Sequence, residues 1–372
     1  MVREKDFVDE CYAGKDLSLL KKLTLVIPTY NRNYYLSRCL WYHAHFPFEQ
    51  IIVADSSPEE KKAVNRETVA KIRDMFGANV LYLEYEPETE KYGGDIYRKW
   101  GDAVMHVETE YSQICTDKES LIPSTLCVLI QFLEENLNYA VTSGDFSYYR
   151  NNSIHVGCMG RQSITNDDAL QRYSVALKTG WDQSQLLSLH RTNIQKDIFQ
   201  PILASSINDI RFGERYLAFS AYAYGKMYHI NLPYNIRDVS RIQNRNKSLN
   251  TAESSDLRYQ NIYEYDTESN HYKYTCAEYK QNILKTISKM GNYTTEELEW
   301  NWTHTLYPIL KRDALSYSNY LFRTLQIVKK IIPERMIDQI CRRSTNLDDE
   351  YDCTLILLQH DLTYIHSLLW VE

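Results

Sequence analysis

The pattern of apolar and polar positions changes sharply at Leu23. Residues 1–22 read as a short polar leader, without the continuous apolar stretch of a signal peptide. Residues 23–29 (LTLVIPT) are then almost all apolar and predict a buried strand, with Tyr30-Asn31-Arg32 as the turn that follows. Leu36 and Leu40, four apart, mark one face of a helix. Residues 51–55 (IIVAD) predict a second buried strand. Ser57 as cap, Pro58 at the first helical position and Glu60 closing a capping box predict a helix that runs to about Phe76. Residues 79–85 read as a third strand. After the Gly93-Gly94 break, Ile96, Trp100 and Val104 recur at i, i+4 and i+8, the spacing of an amphipathic helix. A fourth strand at 111–116, a helix at 123–135 and a strand at 139–147 complete the series. Such alternation of strands and helices over short links predicts a mostly parallel α/β sheet with helices on both faces.

Downstream the pattern is looser. Residues 148–163 read as loop and strand, 167–177 as a helix, and 181–190 as a segment leading into a strand. Residues 212–224 predict a helix ended by Gly225 as a left-handed glycine, and 227–232 a closing strand. The expected organisation is a leader at 1–22, an α/β domain at 23–237, a polar loop or linker at 238–272 and a mainly helical region at 273–372. In that last region Thr294-x-x-Glu297 forms a capping box ahead of Leu298, Trp302, Leu306 and Ile309.

Composition narrows the function. The chain has 372 residues, 44% hydrophobic and 24% charged, enough for a large core plus an appendage. A formal net charge of −7 argues against nucleic acid as a partner. The 31 tyrosines suit either half-buried packing or the stacking of a sugar. Eight cysteines are scattered with no C-x-x-C pair, which predicts reduced thiols in a cytoplasmic protein rather than a zinc site or a disulfide scaffold. No apolar run approaches the ~18 residues of a spanning helix. Residues 321–344 place Arg323, Lys329, Lys330, Arg335, Arg342 and Arg343 among apolar positions. A basic amphipathic segment of this kind suits peripheral contact with an anionic membrane face, or a helix packed on the main domain with a solvated side.

Parallel sheets bind ligands beyond the carboxyl ends of their strands. Three polar groups sit at such ends. Pro28, Thr29, Asn31 and Arg32 follow the first strand. Asp55 ends the second. Asp117-Lys118-Glu119 follows the fourth, and carboxylates two apart at a strand end can share a hard cation, such as Mg²⁺ or Mn²⁺, with substrate phosphates. Arg237 and Arg241, after the closing strand, could hold a diphosphate through their rigid forks. His190-Arg191 is a further candidate for acceptor or phosphate contact.

The run from Leu23 to Arg32, then Ile51 to Ser57, then a carboxylate pair after a strand, resembles inverting glycosyltransferase family two, of the GT-A fold. It is most similar to a bacterial subgroup linked to surface polysaccharide assembly. That subgroup carries Asp-Asp-Asp-Phe-x-x-Pro where this chain reads Asp117-Lys-Glu-Ser-Leu-Ile-Pro123, so Lys118 and Glu119 depart from the pattern. The likeness spans residues 23–237. It implies a nucleotide-diphosphate sugar donor, a uridine one by preference, and a saccharide or lipid-linked saccharide acceptor. Pro28, Thr29, Asn31 and Arg32 would line the nucleotide pocket, with Lys118 beside it. Asp55 would hold the base. Asp117 would touch the ribose or a metal-bound water, and Glu119 the divalent metal. An inverting transfer also needs a general base; the resemblance implies a carboxylate that opens a helix after the donor site, where Glu214 is preferred over Asp209. The competing readings are a nucleotidyltransferase, which would show a glycine-rich phosphate loop absent from residues 23–40, and a catalytically silent homologue acting as a binding subunit.

Overall fold

A computed structural model describes residues 16–87, 93–150, 153–157, 162–178, 183–205, 210–238 and 270–311. The strands are β1 (Leu23–Thr29), β2 (Gln50–Asp55), β3 (Val80–Glu84), β4 (Tyr111–Ile114), β5 (Glu119–Leu121), β6 (Tyr139–Arg150), β7 (Ser153–Gly157), β8 (Leu189–Arg191) and β9 (Lys226–Asp238). The helices are α1 (Asn33–His43), α2 (Glu59–Phe76), α3 (Gly93–Met105), α4 (Pro123–Glu135), α5 (Ala169–Lys178), α6 (Thr192–Ala204), α7 (Ile210–Tyr224), α8 (Asn270–Lys289) and α9 (Thr295–Asn301).

The strands form one sheet in the order β3-β2-β1-β4-β8-β6-β9-β5, with β7 paired to β6. The β3-β2-β1-β4 block is parallel, as is the β6–β9 pair; β8, β5 and β7 run antiparallel to their neighbours. The expected α/β architecture is therefore borne out, with antiparallel strands added on the β8–β5 side. All seven residues of β1 are buried, on both faces of the strand; this is why the run reads as continuously apolar rather than alternating. The chain builds β1, β2 and β3 outward in one direction. It then returns through α3 to lay β4 on the other side of β1, which creates a topological switch point between the ends of β1 and β4.

Several local expectations are corrected. The helix after β2 starts at Glu59 and has no side-chain cap, because the Ser57 hydroxyl is drawn away to another partner. That helix ends at Gly77 in the left-handed conformation, φ 62°, a terminator that the sequence reading passed over. Gly225 is not left-handed. It is required because a Cβ there would lie 2.9 Å from the Cβ and backbone N of Ala140. The closing strand extends to Asp238, so Arg237 lies within β9 rather than after it. Helix α6 and the short strand β5 were not anticipated. Strand β5 has only three residues, below the length at which periodicity registers.

The region after residue 270 begins with α8, which packs on α7 and buries Tyr279 completely; the Tyr279 and Tyr173 hydroxyls meet at 2.5 Å. The Thr294/Glu297 capping box forms as expected, with Glu297 N–H donating to Thr294 Oγ1 at 3.1 Å and Thr294 N–H to Glu297 Oε2 at 2.8 Å. Among the described residues no helix is long and apolar enough to cross a membrane.

Candidate functional site

The ends of β1 and β4 are joined directly. Thr29 closes β1 in register with Asp55 of β2, and its hydroxyl donates to Asp117 Oδ2 at 2.8 Å. Arg32 Nη1 reaches Asp117 Oδ1 at 3.2 Å. Asn31 takes φ 55°, a left-handed position that asparagine tolerates better than most residues, and its N–H donates to Ser57 Oγ at 2.8 Å. Pro28 is buried in the strand beside Ala54. The backbone turn after β1 is thus tied to β2 through Ser57 and to β4 through Asp117.

Asp55 is fully buried. Its Oδ1 accepts from Ser57 N–H at 2.7 Å, and its Oδ2 accepts from Asn65 Nδ2 at 2.7 Å and the Tyr82 hydroxyl at 2.6 Å. Burial and the Asp55 charge push the Tyr82 phenol well up, so Tyr82 stays a donor. The carboxylate is enclosed by protein donors. Lys99 is buried as well, and its ammonium donates to Thr29 O at 3.2 Å and Ser56 Oγ at 2.7 Å. Sequence reasoning missed Asn65, Tyr82 and Lys99. A signal existed for two of them. Asn65 shares the apolar face of α2 with Val69 and Ile72, and Lys99 shares that of α3 with Ile96 and Ala103. A polar residue at a core position of a helix calls for a buried partner.

Asp117 and Lys118 are the central residues of a tight turn. Glu119 N–H donates to Thr116 O at 2.9 Å, and the Glu119 carboxylate returns to accept from Thr116 N–H at 3.0 Å. Strand β5 pairs antiparallel with β9, placing Glu119 directly opposite Arg237. Arg237 Nε and Nη2 both donate to Glu119 Oε1, at 2.9 and 2.5 Å. Asp238 N–H donates to Lys118 O at 2.8 Å, and the Asp238 carboxylate accepts from Arg38 Nη1 at 3.0 Å. A cavity of about 20 Å³, room for a single water, is lined by Tyr35, Arg38, Asp117, Lys118, Glu119 and Asp238. The Lys118 ammonium lies 4.5 Å from the centre of the Tyr35 ring, and burial moves it below the usual lysine range. Burial, with Asp238 nearby, pushes the Tyr35 phenol up to about 12.

These contacts test the carboxylate pair as a metal site. A hard divalent ion takes open oxygen ligands. Here both oxygens of Asp117 and both of Glu119 already accept hydrogen bonds, and each carboxylate faces an arginine. Asp117 and Glu119 are 3% and 1% exposed. In this arrangement they do not offer an ion an open set.

Other expected residues lie elsewhere. Glu214 is half-buried near the start of α7, which packs against α3, α5, α6 and α8. Asp209, Arg241 and the basic segment 321–344 lie outside the described residues. His190 is buried in β8, with Nδ1 against Ser188 O at 2.8 Å, and desolvation lowers it to about 4. Arg191 donates to Tyr139 O, Leu133 O and Asn136 O, closing the carbonyl end of α4. Both are structural here, a correction to their candidacy for ligand contact. The fold also gathers Cys39, His43 and Cys115, whose ligand atoms lie within 4.8 Å of one another beneath the turn. His43 Nε2 accepts from Leu121 N–H at 3.2 Å, and Nδ1 faces Cys39 O at 2.8 Å, so the imidazole braces α1 against β5.

No protein-family model matches the chain, and no curated protein matches it. Among solved structures the chain is similar to S. aureus TarS 1–349 in complex with UDP, with 17% identity, covering 73% of this chain and 72% of that one at a TM-score of 0.43. It is also similar to the same fragment in complex with UDP-GlcNAc, with 18% identity, covering 74% and 77% at a TM-score of 0.41. Against a longer S. aureus TarS chain the identity is 17% and the TM-score 0.40, and the likeness spans 44% of that chain.

Proposed function

We propose that this chain is a glycosyltransferase that binds a nucleotide-diphosphate sugar, a uridine one by preference, at the carboxyl ends of β1, β2 and β4. The observation that carries the reading is the Thr29–Asp117 bond across the β1/β4 switch point, with Arg32 and Lys118 beside it. A switch-point crevice is where open α/β sheets take nucleotides, and its basic groups suit a diphosphate. The resemblance of residues 23–32 and 51–57 to family-two enzymes supports the same donor class.

In the reaction the acceptor hydroxyl oxygen forms a bond to the anomeric carbon. The bond from that carbon to the terminal phosphate oxygen breaks, and its electron pair leaves with the nucleoside diphosphate. The hydroxyl proton passes to a carboxylate, for which Glu214 is the proposed base and Asp209 the alternative. Single displacement inverts the anomeric centre. Asp55 acts as a positioning residue, holding Ser57, Asn65 and Tyr82 rather than meeting the base itself. The acceptor is a saccharide or a lipid-linked saccharide of a surface polysaccharide. The test is release of nucleoside diphosphate from a panel of uridine-diphosphate sugars, with and without saccharide acceptors. Turnover that Glu214→Gln reduces by about 100-fold or more is expected for loss of a general base. No turnover with any nucleotide sugar refutes the reading, and intact turnover in Glu214→Gln moves the base to Asp209.

A further inference from the structure

Among the described residues the carboxylates around the Thr116–Glu119 turn face arginines. Asp117 faces Arg32 at 3.2 Å, Asp238 faces Arg38 at 3.0 Å, and Glu119 faces Arg237 at 2.5 Å. Each of these three carboxylates meets a guanidinium group among the described residues, and Lys118 stands beside them. Among the described residues its ammonium makes no ion pair, and it rests near the Tyr35 ring at the wall of the cavity shared with Asp117 and Glu119. Its backbone is pinned on both sides, by the Glu119 N–H to Thr116 O bond and by Asp238 N–H to Lys118 O. A flexible side chain on a fixed turn, steadied by an aromatic face, lines the same cavity as the two carboxylates from which a divalent ion would hang.

We propose that Lys118 takes the place of a divalent cation, so that this chain binds the diphosphate of its donor without a metal. The proposal rests on the donor reading above. An ammonium is a compact charge with three donors, and Lys is a common phosphate ligand as a point charge. At the wall of the cavity it shares with the two carboxylates, Lys118 supplies positive charge where the leaving diphosphate gathers negative charge, the role that fixed charges perform in transfer reactions. The arginines keep the neighbouring carboxylates neutralised, so no ion is needed to stop them repelling the phosphates.

The experiment is calorimetric titration of the full chain with uridine diphosphate, after chelator treatment and again with Mn²⁺ or Mg²⁺ added. Expected are dissociation constants that agree within about twofold across the three conditions. Lys118→Met is expected to weaken uridine diphosphate by about tenfold, the scale of one charge-assisted hydrogen bond, while leaving uridine binding unchanged. Lys118→Arg is expected to retain most of the affinity. Lys118→Asp, which adds a carboxylate, is expected to bind only when Mn²⁺ is supplied. Circular dichroism melts of each variant separate loss of contact from loss of fold. Binding by the unaltered chain that vanishes under chelator and returns with Mn²⁺ overturns this proposal and leaves the donor reading standing. Absence of binding under every condition refutes both.

Discussion

The two halves of the candidate site are built differently. On the β1–β2 side, buried Asp55 is enclosed by Ser57, Asn65 and half-buried Tyr82, and buried Lys99 by Thr29 and Ser56. On the β4–β5–β9 side, buried carboxylates face half-exposed arginines, whose side chains are 30% exposed at Arg32 and 32% at Arg237. The first side is a rigid frame, where each polar group is costly to orphan. The second is a balanced set of charges at the edge of solvent, able to exchange partners with a ligand. The proposed function, which requires a nucleotide to be positioned and its charge accepted, calls for both.

Substitutions can break this contrast. The largest loss of stability is expected for Asp55→Ala, which orphans the buried Ser57 N–H and Asn65 Nδ2 and the half-buried Tyr82 hydroxyl; we expect about 3 kcal/mol by denaturant unfolding. Loss below ~1 kcal/mol would show that the frame reorganises around water. Arg237→Ala leaves buried Glu119 with the Thr116 N–H but no opposing charge, and about 2 kcal/mol is expected, reduced from a fully buried pair because Arg237 reaches solvent. Gly77→Ala, at a left-handed helix end with open space around it, is expected to cost about 1 kcal/mol from backbone strain alone. Lys118→Met should change stability by less than about 0.5 kcal/mol, since the fold does not depend on that ammonium.

The sheet beneath the site gives a pH-dependent check. His190 is held neutral, with its folded value lowered to about 4 from an ordinary 6.5. The unfolded chain therefore binds a proton that the folded chain refuses. Its contribution is intact above pH 6.5 and is lost progressively as pH falls from there toward 4. The unfolding midpoint should drop over that interval, and His190→Gln should flatten the slope whatever it does to the absolute stability. An unchanged slope would mean that His190 charges in the fold.

Much of the frame was legible in the chain. The runs at 23–29 and 51–55 read as buried strands because parallel strands covered on both faces need no alternation. Thr29, Asp55 and Asp117 were legible as strand-end groups because strand ends in such sheets converge on one edge. What lay hidden was the partnership between distant residues. Nothing near Glu119 announces Arg237, which arrives through the register of a three-residue strand. Ser57 reads as a helix cap because Pro58 and Glu60 follow it, yet its hydroxyl accepts from Asn31 N–H of the β1 turn. Local rules were outvoted wherever a tertiary contact offered the same atom a better partner, and those places are the site itself.

The most direct test of the central claim is mapping of uridine diphosphate on the full chain by backbone amide chemical shifts. The expected result is saturable shifts at Asn31, Arg32 and the turn Thr116–Glu119, with Lys118→Met weakening the titration. Saturable shifts confined to other parts of the fold, or no shifts at all, would contradict it.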